Sequence, residues 1–267
     1  MLFERFPHLM IGPILATLAW TILIGLSAWV LVFKTRIFNP FDEVRFDSFF
    51  CGLLNIIFVF FMAFMGSEFH EKHKAASESL VKERAAIIRV LSVQLPTEAL
   101  NQQVQGAIKD YLQAVVNVEW KQHLNRQQSD EAQLAIKHLL QLINDARQAC
   151  TDQAITQCID PTTMSRYLNG IDVLREARDL RFSLGVQERE GLRYLLCMLL
   201  ALNAAISLLI VYKKEKRAAL VPLVMYCLSV WVTFLIVILH AEPYVGFRGL
   251  QPTMLEHILQ QLGKTEH

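Results

Sequence analysis

Charge is what this sequence lacks over four long stretches. Leu9–Phe33, Ser48–Ser67, Tyr194–Tyr212 and Ala218–Ala241 contain no Asp, Glu, Lys or Arg. An α-helix rises about 1.5 Å per residue, so roughly 20 apolar residues cross the hydrocarbon core of a bilayer. Each stretch therefore reads as a membrane-spanning helix. Leu9–Phe33 is too long for the apolar region of a cleaved signal peptide and runs into Lys34 and Arg36 without a small-residue cleavage site, so it is expected to be retained. Helix-breaking residues are also scarce. Between Glu68 and Arg193 the only prolines are Pro96 and Pro161, and no stretch alternates apolar and polar residues with period two, which excludes a sheet.

An excess of basic charge is missing too. A net charge of +1 leaves no large surface for nucleic acid. There is no glycine-rich phosphate loop, no nucleophile elbow and no cluster of cysteine ligands, so neither an enzyme nor a cofactor is expected. The one metal-like pattern lies at Glu68, His70, Glu71 and His73. A zinc-protease motif needs histidines four apart, and position 74 is Lys. His70 and His73 share a helix face and are only weak metal candidates, because no third ligand is identifiable. Cys51, Cys197 and Cys227 fall in apolar spans and read as small hydrophobes. Cys150 and Cys158 read equally as separate thiols or as a pair closing a short loop.

What is present is helical patterning. From Glu68 to Arg193 apolar residues recur at three and four: Val104, Ile108, Tyr111, Leu112 and Val115; Ile136, Leu139, Leu140 and Ile143; Tyr167, Leu168, Ile171 and Leu174. Leu95–Pro96–Thr97 predicts a break, and Asp160–Pro161 a helix start. No Gly or Pro separates Ser67 from Ala85, so the second span is expected to leave the bilayer as one long helix. Leu174–Glu190 is expected to lead likewise into the third span, with Gly185 as its weak point. The fold class is all-α: an integral membrane protein with four transmembrane helices in two hairpins flanking a helical extramembrane domain. The expected divisions are 1–67 (helices about 9–33 and 48–67), 68–193, 194–241 and a C-terminal tail, 242–267.

Three sets of residues suggest function. Lys213, Lys214, Lys216 and Arg217 join the third and fourth spans and are placed to meet anionic lipid headgroups or to orient the hairpin. The second span carries Phe49, Phe50, Phe58, Phe60, Phe61 and Phe64. Rings of aromatic side chains around an oligomer axis gate pores by dewetting, which makes Phe58 and Phe61, with Asn55, candidate pore-lining residues. Basic residues in the short loops (Lys34, Arg36, Arg45 and the 213–217 group) predict that those loops are cytoplasmic and that 68–193 lies outside.

Several strings resemble the bestrophin-like membrane proteins of bacteria, a family named for its likeness to bestrophin chloride channels. They are Val81-x-Glu83-x-Ala85, Leu95–Pro96, Tyr111, Glu119–Trp120, Ala177–Arg178–Asp179–Leu180–Arg181 and Glu242–Pro243–Tyr244-x-Gly246. The last is similar to the family's Asp-x-Pro-Phe-x-Gly, with Ala241 at the Asp position and Glu242 one residue late. The resemblance implies a homo-oligomeric ring, such as a pentamer, in a bacterial plasma (inner) membrane. The second helix of each subunit would face a central ion (anion) pore, and the helical domain would lie in the cytosol, opposite to the loop-charge reading. The contrasting reading is a membrane-anchored helical interaction or sensory module with no conductance.

Overall fold

A computed structural model describes residues 7–35, 48–152, 158–186, 191–240, 242–244 and 249–264. Every regular element among them is helical. They are α1 (Pro7–Phe33), α2 (Ser48–Ser92), α3 (Glu98–Ala114), a π-helical turn (Val115–Trp120), α4 (Asp130–Asp152), α5 (Pro161–Gly185), α6 (Gly191–Val211), α7 (Leu220–His240) and α8 (Thr253–Lys264). Four segments have the length and apolarity to cross a membrane: Ile14–Phe33, the start of Gly52–Ser92, Gly191–Val211 and Leu220–Ile238. The chain is a multi-pass integral membrane protein.

With 45 residues α2 is about 68 Å long, more than twice a hydrocarbon core. It ends where Pro96 forbids continuation. The Asn101 side chain bridges the turn, accepting from Leu95 N (3.1 Å) and donating to Leu95 O (3.2 Å), and Thr97 caps α3. At α5 the Asp160 carboxylate accepts from the backbone N–H of Thr162 and Thr163, as the acid–proline start requires. In Leu174–Glu190 the helix α5 stops at Gly185, the expected weak point, and Val186 is extended (φ −75°, ψ 111°), so α5 does not run on helically toward the third span as expected.

Two compact units result. The first contains Met1–Glu71 and Glu188–Ala241, the second Lys72–Gln187 and Glu242–His267. In the first unit α1 packs on α6 and α7. Ala201, Ala204 and Ala205 are fully buried there, small residues that let helices approach closely in lipid. The Tyr226 hydroxyl donates to Ala201 O at 2.8 Å. In the second unit the core joins the three periodic stripes: Val104, Ile108, Tyr111, Leu112 and Val115, with Ile136, Leu139, Ile143, Tyr167, Ile171 and Leu174, are all buried.

Candidate functional site

Two places in the molecule concentrate chemistry. The first is α2 within the membrane unit, where two faces are sharply unequal. Phe58, Met62, Met65 and Phe69 recur at three and four and are buried against the unit's own helices. Phe58 is only 6% exposed and its ring lies 6.4 Å from that of Tyr226. Asn55 and Phe61 flank this inward stripe and are half-buried. The opposite face presents Ile56, Phe60 and Phe64, at 63%, 76% and 65% exposure. Phe58, a candidate pore-lining residue by sequence, is thus placed on the inward face of its own unit, and Phe60 on the outward one. A helix turns 100° per residue, so Phe58 and Phe60 sit on nearly opposite sides, and the span's phenylalanines could not be sorted by count alone. At the end of this span Glu68 is paired with Arg193 of α6 (Nη1 to Oε1, 2.5 Å).

His70 is exposed and His73 half-buried. No set of three or more His, Cys, Asp or Glu side chains is gathered for a metal among the described residues. The basic connection after α6 is surface: Lys214, Lys216 and Arg217 are exposed and Lys213 is half-buried. Lys216 Nζ lies 5.9 Å from the Phe33 ring centroid, at the end of α1. Cys158 is exposed, whereas the side chain of Cys150 lies outside the described residues.

The second place is a buried ionic network inside the extramembrane unit, and scattered sequence strings converge on it. Glu83 sits on the apolar stripe of α2 that also carries Ala76, Leu80, Ile87 and Val90, so helical periodicity drives it into the core. There it accepts from the Tyr111 hydroxyl (Oε1, 2.6 Å) and from Arg181 (Nε to Oε2, 2.9 Å; Nη2 to Oε1, 3.2 Å). Arg181 also donates through Nη2 to Glu119 Oε2 (2.7 Å) and through Nη1 to Asn125 Oδ1. Arg178, one turn earlier on α5, donates to Glu119 Oε1 (Nη2, 2.5 Å; Nε, 3.1 Å) and to Ser129 O (3.2 Å). Glu83, Glu119 and Arg181 have no exposed side-chain surface, and Arg178 has 5%. Two carboxylates and two guanidiniums give a core cluster of zero net charge, the condition under which ions survive burial.

Local backbone geometry aims these groups. The π-helical turn adds a residue to the repeat at Glu119–Trp120, and Leu124 and Asn125 adopt positive φ (49° and 57°). That reversal presents the Asn125 carbonyl to the end of α5, where a Cβ on Gly185 would lie 2.2 Å from it. Only glycine admits so close an approach. Trp120 is buried edge-on to Tyr244 (centroids 5.3 Å apart, 82°). Pro243 is buried beside it in sequence, and Glu242 is held by Arg126 Nη2 at 2.8 and 2.7 Å from its two oxygens. Gly246 lies outside the described residues.

Titration follows from these contacts. Burial pushes the Glu119 carboxyl up, but the charges and hydrogen bonds of Arg181 and Arg178 outweigh it and hold the group below the usual carboxylate range. Burial and the adjacent Glu83 charge push the Tyr111 phenol well above its ordinary value. For Arg181 burial alone would lower the value, yet Glu83, Tyr111 and Glu119 raise it, so the guanidinium stays charged. The sequence singles out Glu83, Glu119, Trp120 and Arg178, and the structure brings them together. The sequence does not mark Arg181 as the link between the two carboxylates, nor Asn125 and Ser129 at all. The signal for Arg181 was available: Arg178 and Arg181 are three apart on one helix face that continues the stripe Tyr167–Ile171–Leu174.

The same arrangement of helices has relatives of known structure. Two crystal structures of variants of a bacterial bestrophin homologue from Klebsiella pneumoniae match with TM-scores of 0.62 and 0.61, at 12% and 13% identity. Each match covers 96% of this chain, and 97% and 98% of the relative's chain. At that identity the likeness is one of fold. Comparison with curated proteins finds no match. The family model of the bestrophin-like domain matches residues 44–255, which takes in α2 to α7 and the whole ionic network. The chain belongs to the bestrophin-like family.

Proposed function

We propose that the protein is the subunit of a homo-oligomeric ion channel, with α2 of each subunit turned toward a central axis. The observation that carries this reading is the exposed stripe Ile56–Phe60–Phe64 on a membrane helix whose other face is fully engaged by its own subunit. Residues at i, i+4 and i+8 stand one above another, so symmetric copies would stack apolar rings along the axis, a constriction that gates by dewetting. Asn55 and Phe61 stand at the borders between the two faces, and Phe58 supports the helix from behind through Tyr226. A four-helix subunit encloses no conduit alone, so closed cyclic symmetry such as a pentamer is required. Family membership supports the channel class; an anion as the permeant ion and a bacterial plasma membrane as its place belong to the proposal. Lys213, Lys214, Lys216 and Arg217 are proposed to contact anionic headgroups there.

The test is native mass in mild detergents together with flux from proteoliposomes. Phe60→Ala and Phe64→Ala are expected to raise flux at unchanged oligomer mass, whereas Phe58→Ala is expected to lower thermal stability instead. A monomer or dimer in every detergent would overturn the ring. It would favour the reading as a membrane-anchored interaction module.

A further inference from the structure

A second feature of the extramembrane unit is charged but, unlike the ionic network, unbalanced. A cavity of about 590 Å³ lies between the end of α2 and the first turns of α5. Apart from Val93 its lining is polar: Arg89, Ser92 and Gln94 from one side, Thr163, Arg166 and Asn169 from the other. One residue beyond Asn169, a Cβ on Gly170 would stand 2.8 Å from Val90 Cγ2, so α2 and α5 touch closely there. The volume falls within the range of small-molecule sites, about 300–1,000 Å³.

The lining carries two positive charges and no carboxylate. Among the described residues neither Arg89 nor Arg166 forms an ion pair, in contrast to Arg126, Arg178, Arg181 and Arg193. The acid nearest Thr163 in the chain, Asp160, is already engaged in capping α5. Two guanidiniums facing one cavity repel each other until an anion joins them, and their planar donor forks match the oxygens of a phosphate. The remaining side chains extend the specificity. The Ser92 hydroxyl donates to Arg89 O (2.8 Å), which leaves its oxygen to accept from a ligand. Gln94 and Asn169 supply amides, and Thr163 a hydroxyl. The geometry points to a binding site for a phosphate monoester whose remainder carries hydroxyl groups, with Arg89 and Arg166 clamping the phosphate.

The test uses the full-length protein in detergent at fixed ionic strength, with glycerol 3-phosphate as the soluble probe in isothermal titration. A parallel arm measures association with vesicles containing phosphatidic acid, whose headgroup offers the same chemistry from a lipid. Saturable binding with one site per chain is expected. Arg89→Gln and Arg166→Gln should each weaken it by about tenfold or more, as loss of a charge-assisted hydrogen bond implies. Arg175→Gln, an exposed arginine further along α5, should leave binding unchanged, and Thr163→Val gives a second, uncharged probe of the cavity. Loss in the titration arm assigns a soluble ester, and loss confined to the vesicle arm assigns a headgroup. The inference is overturned if neither arm is weakened by Arg89→Gln and Arg166→Gln while both variants melt like the parent. It is equally overturned if glycerol binds as well as its phosphate.

Discussion

Replacing Arg181 by methionine should cost the extramembrane unit about as much as truncating one of the largest apolar side chains of its core. The parent cluster carries two positive and two negative side chains, all within 5% of full burial. Arg181 supplies both guanidinium contacts to Glu83, at 2.9 and 3.2 Å, and one of those to Glu119, at 2.7 Å. With methionine in its place Glu119 keeps Arg178, but Glu83 keeps only the Tyr111 hydroxyl at 2.6 Å. One negative charge is then buried without a counterion, a change that costs about 3–5 kcal/mol in proteins. At roughly 2–4 °C per kcal/mol for a unit of this size, melting should fall by about 10 °C. The assay is thermal unfolding of the purified full-length protein, followed by fluorescence of a reporter on the extramembrane unit. Glu83→Gln in the Arg181→Met background removes the stranded charge and should recover part of the loss, giving a coupling of about 2 kcal/mol in the double-mutant cycle. A single variant within about 1 kcal/mol of the parent, or strictly additive changes, would refute the reasoning that the network is closed and charge-balanced.

Further outcomes follow from the same cluster and its frame. Tyr111→Phe should cost about 1.5–3 kcal/mol, since a buried hydrogen bond to a charged carboxylate is lost while the ring remains, measurable as a drop in melting temperature. Gly185→Ala should destabilise by about 1–3 kcal/mol, because the new Cβ meets the Asn125 carbonyl at 2.2 Å and the α5 terminus must shift; unchanged melting would show that the two segments part easily. Glu119 has a depressed folded-state value, so its contribution is complete above its unfolded-state pKa of about 4.3 and is lost as pH falls through the lower folded value. Glu119→Gln should thus be less stable at neutral pH and show a flatter acid limb in a pH–stability profile.

The four membrane helices were legible because bilayer thickness imposes a length and lipid forbids charge, both of which are written locally along the chain. The helical stripes of the extramembrane unit were legible for a similar reason: burial of one face repeats every 3.6 residues wherever the helix packs. The long α2 could be expected from the missing Gly and Pro between Ser67 and Ala85. Gly185 was legible as the weak point of α5; that only glycine fits there was not, because the Asn125 carbonyl, sixty positions earlier, stands where a Cβ would go.

The sites divide in the same way. The sequence by itself determined that this is an all-helical, four-span membrane protein of the bestrophin-like family, and that Glu83, Glu119, Trp120 and Arg178 carry its resemblance. Only the tertiary structure decided that Arg181 joins the two carboxylates, across separations of 98 and 62 residues. It also decided which phenylalanines of α2 turn inward. The physical reason is common to both: a charge or a ring in the sequence states a need for a partner, but its partner is fixed by how helices distant in the chain pack and rotate about their axes.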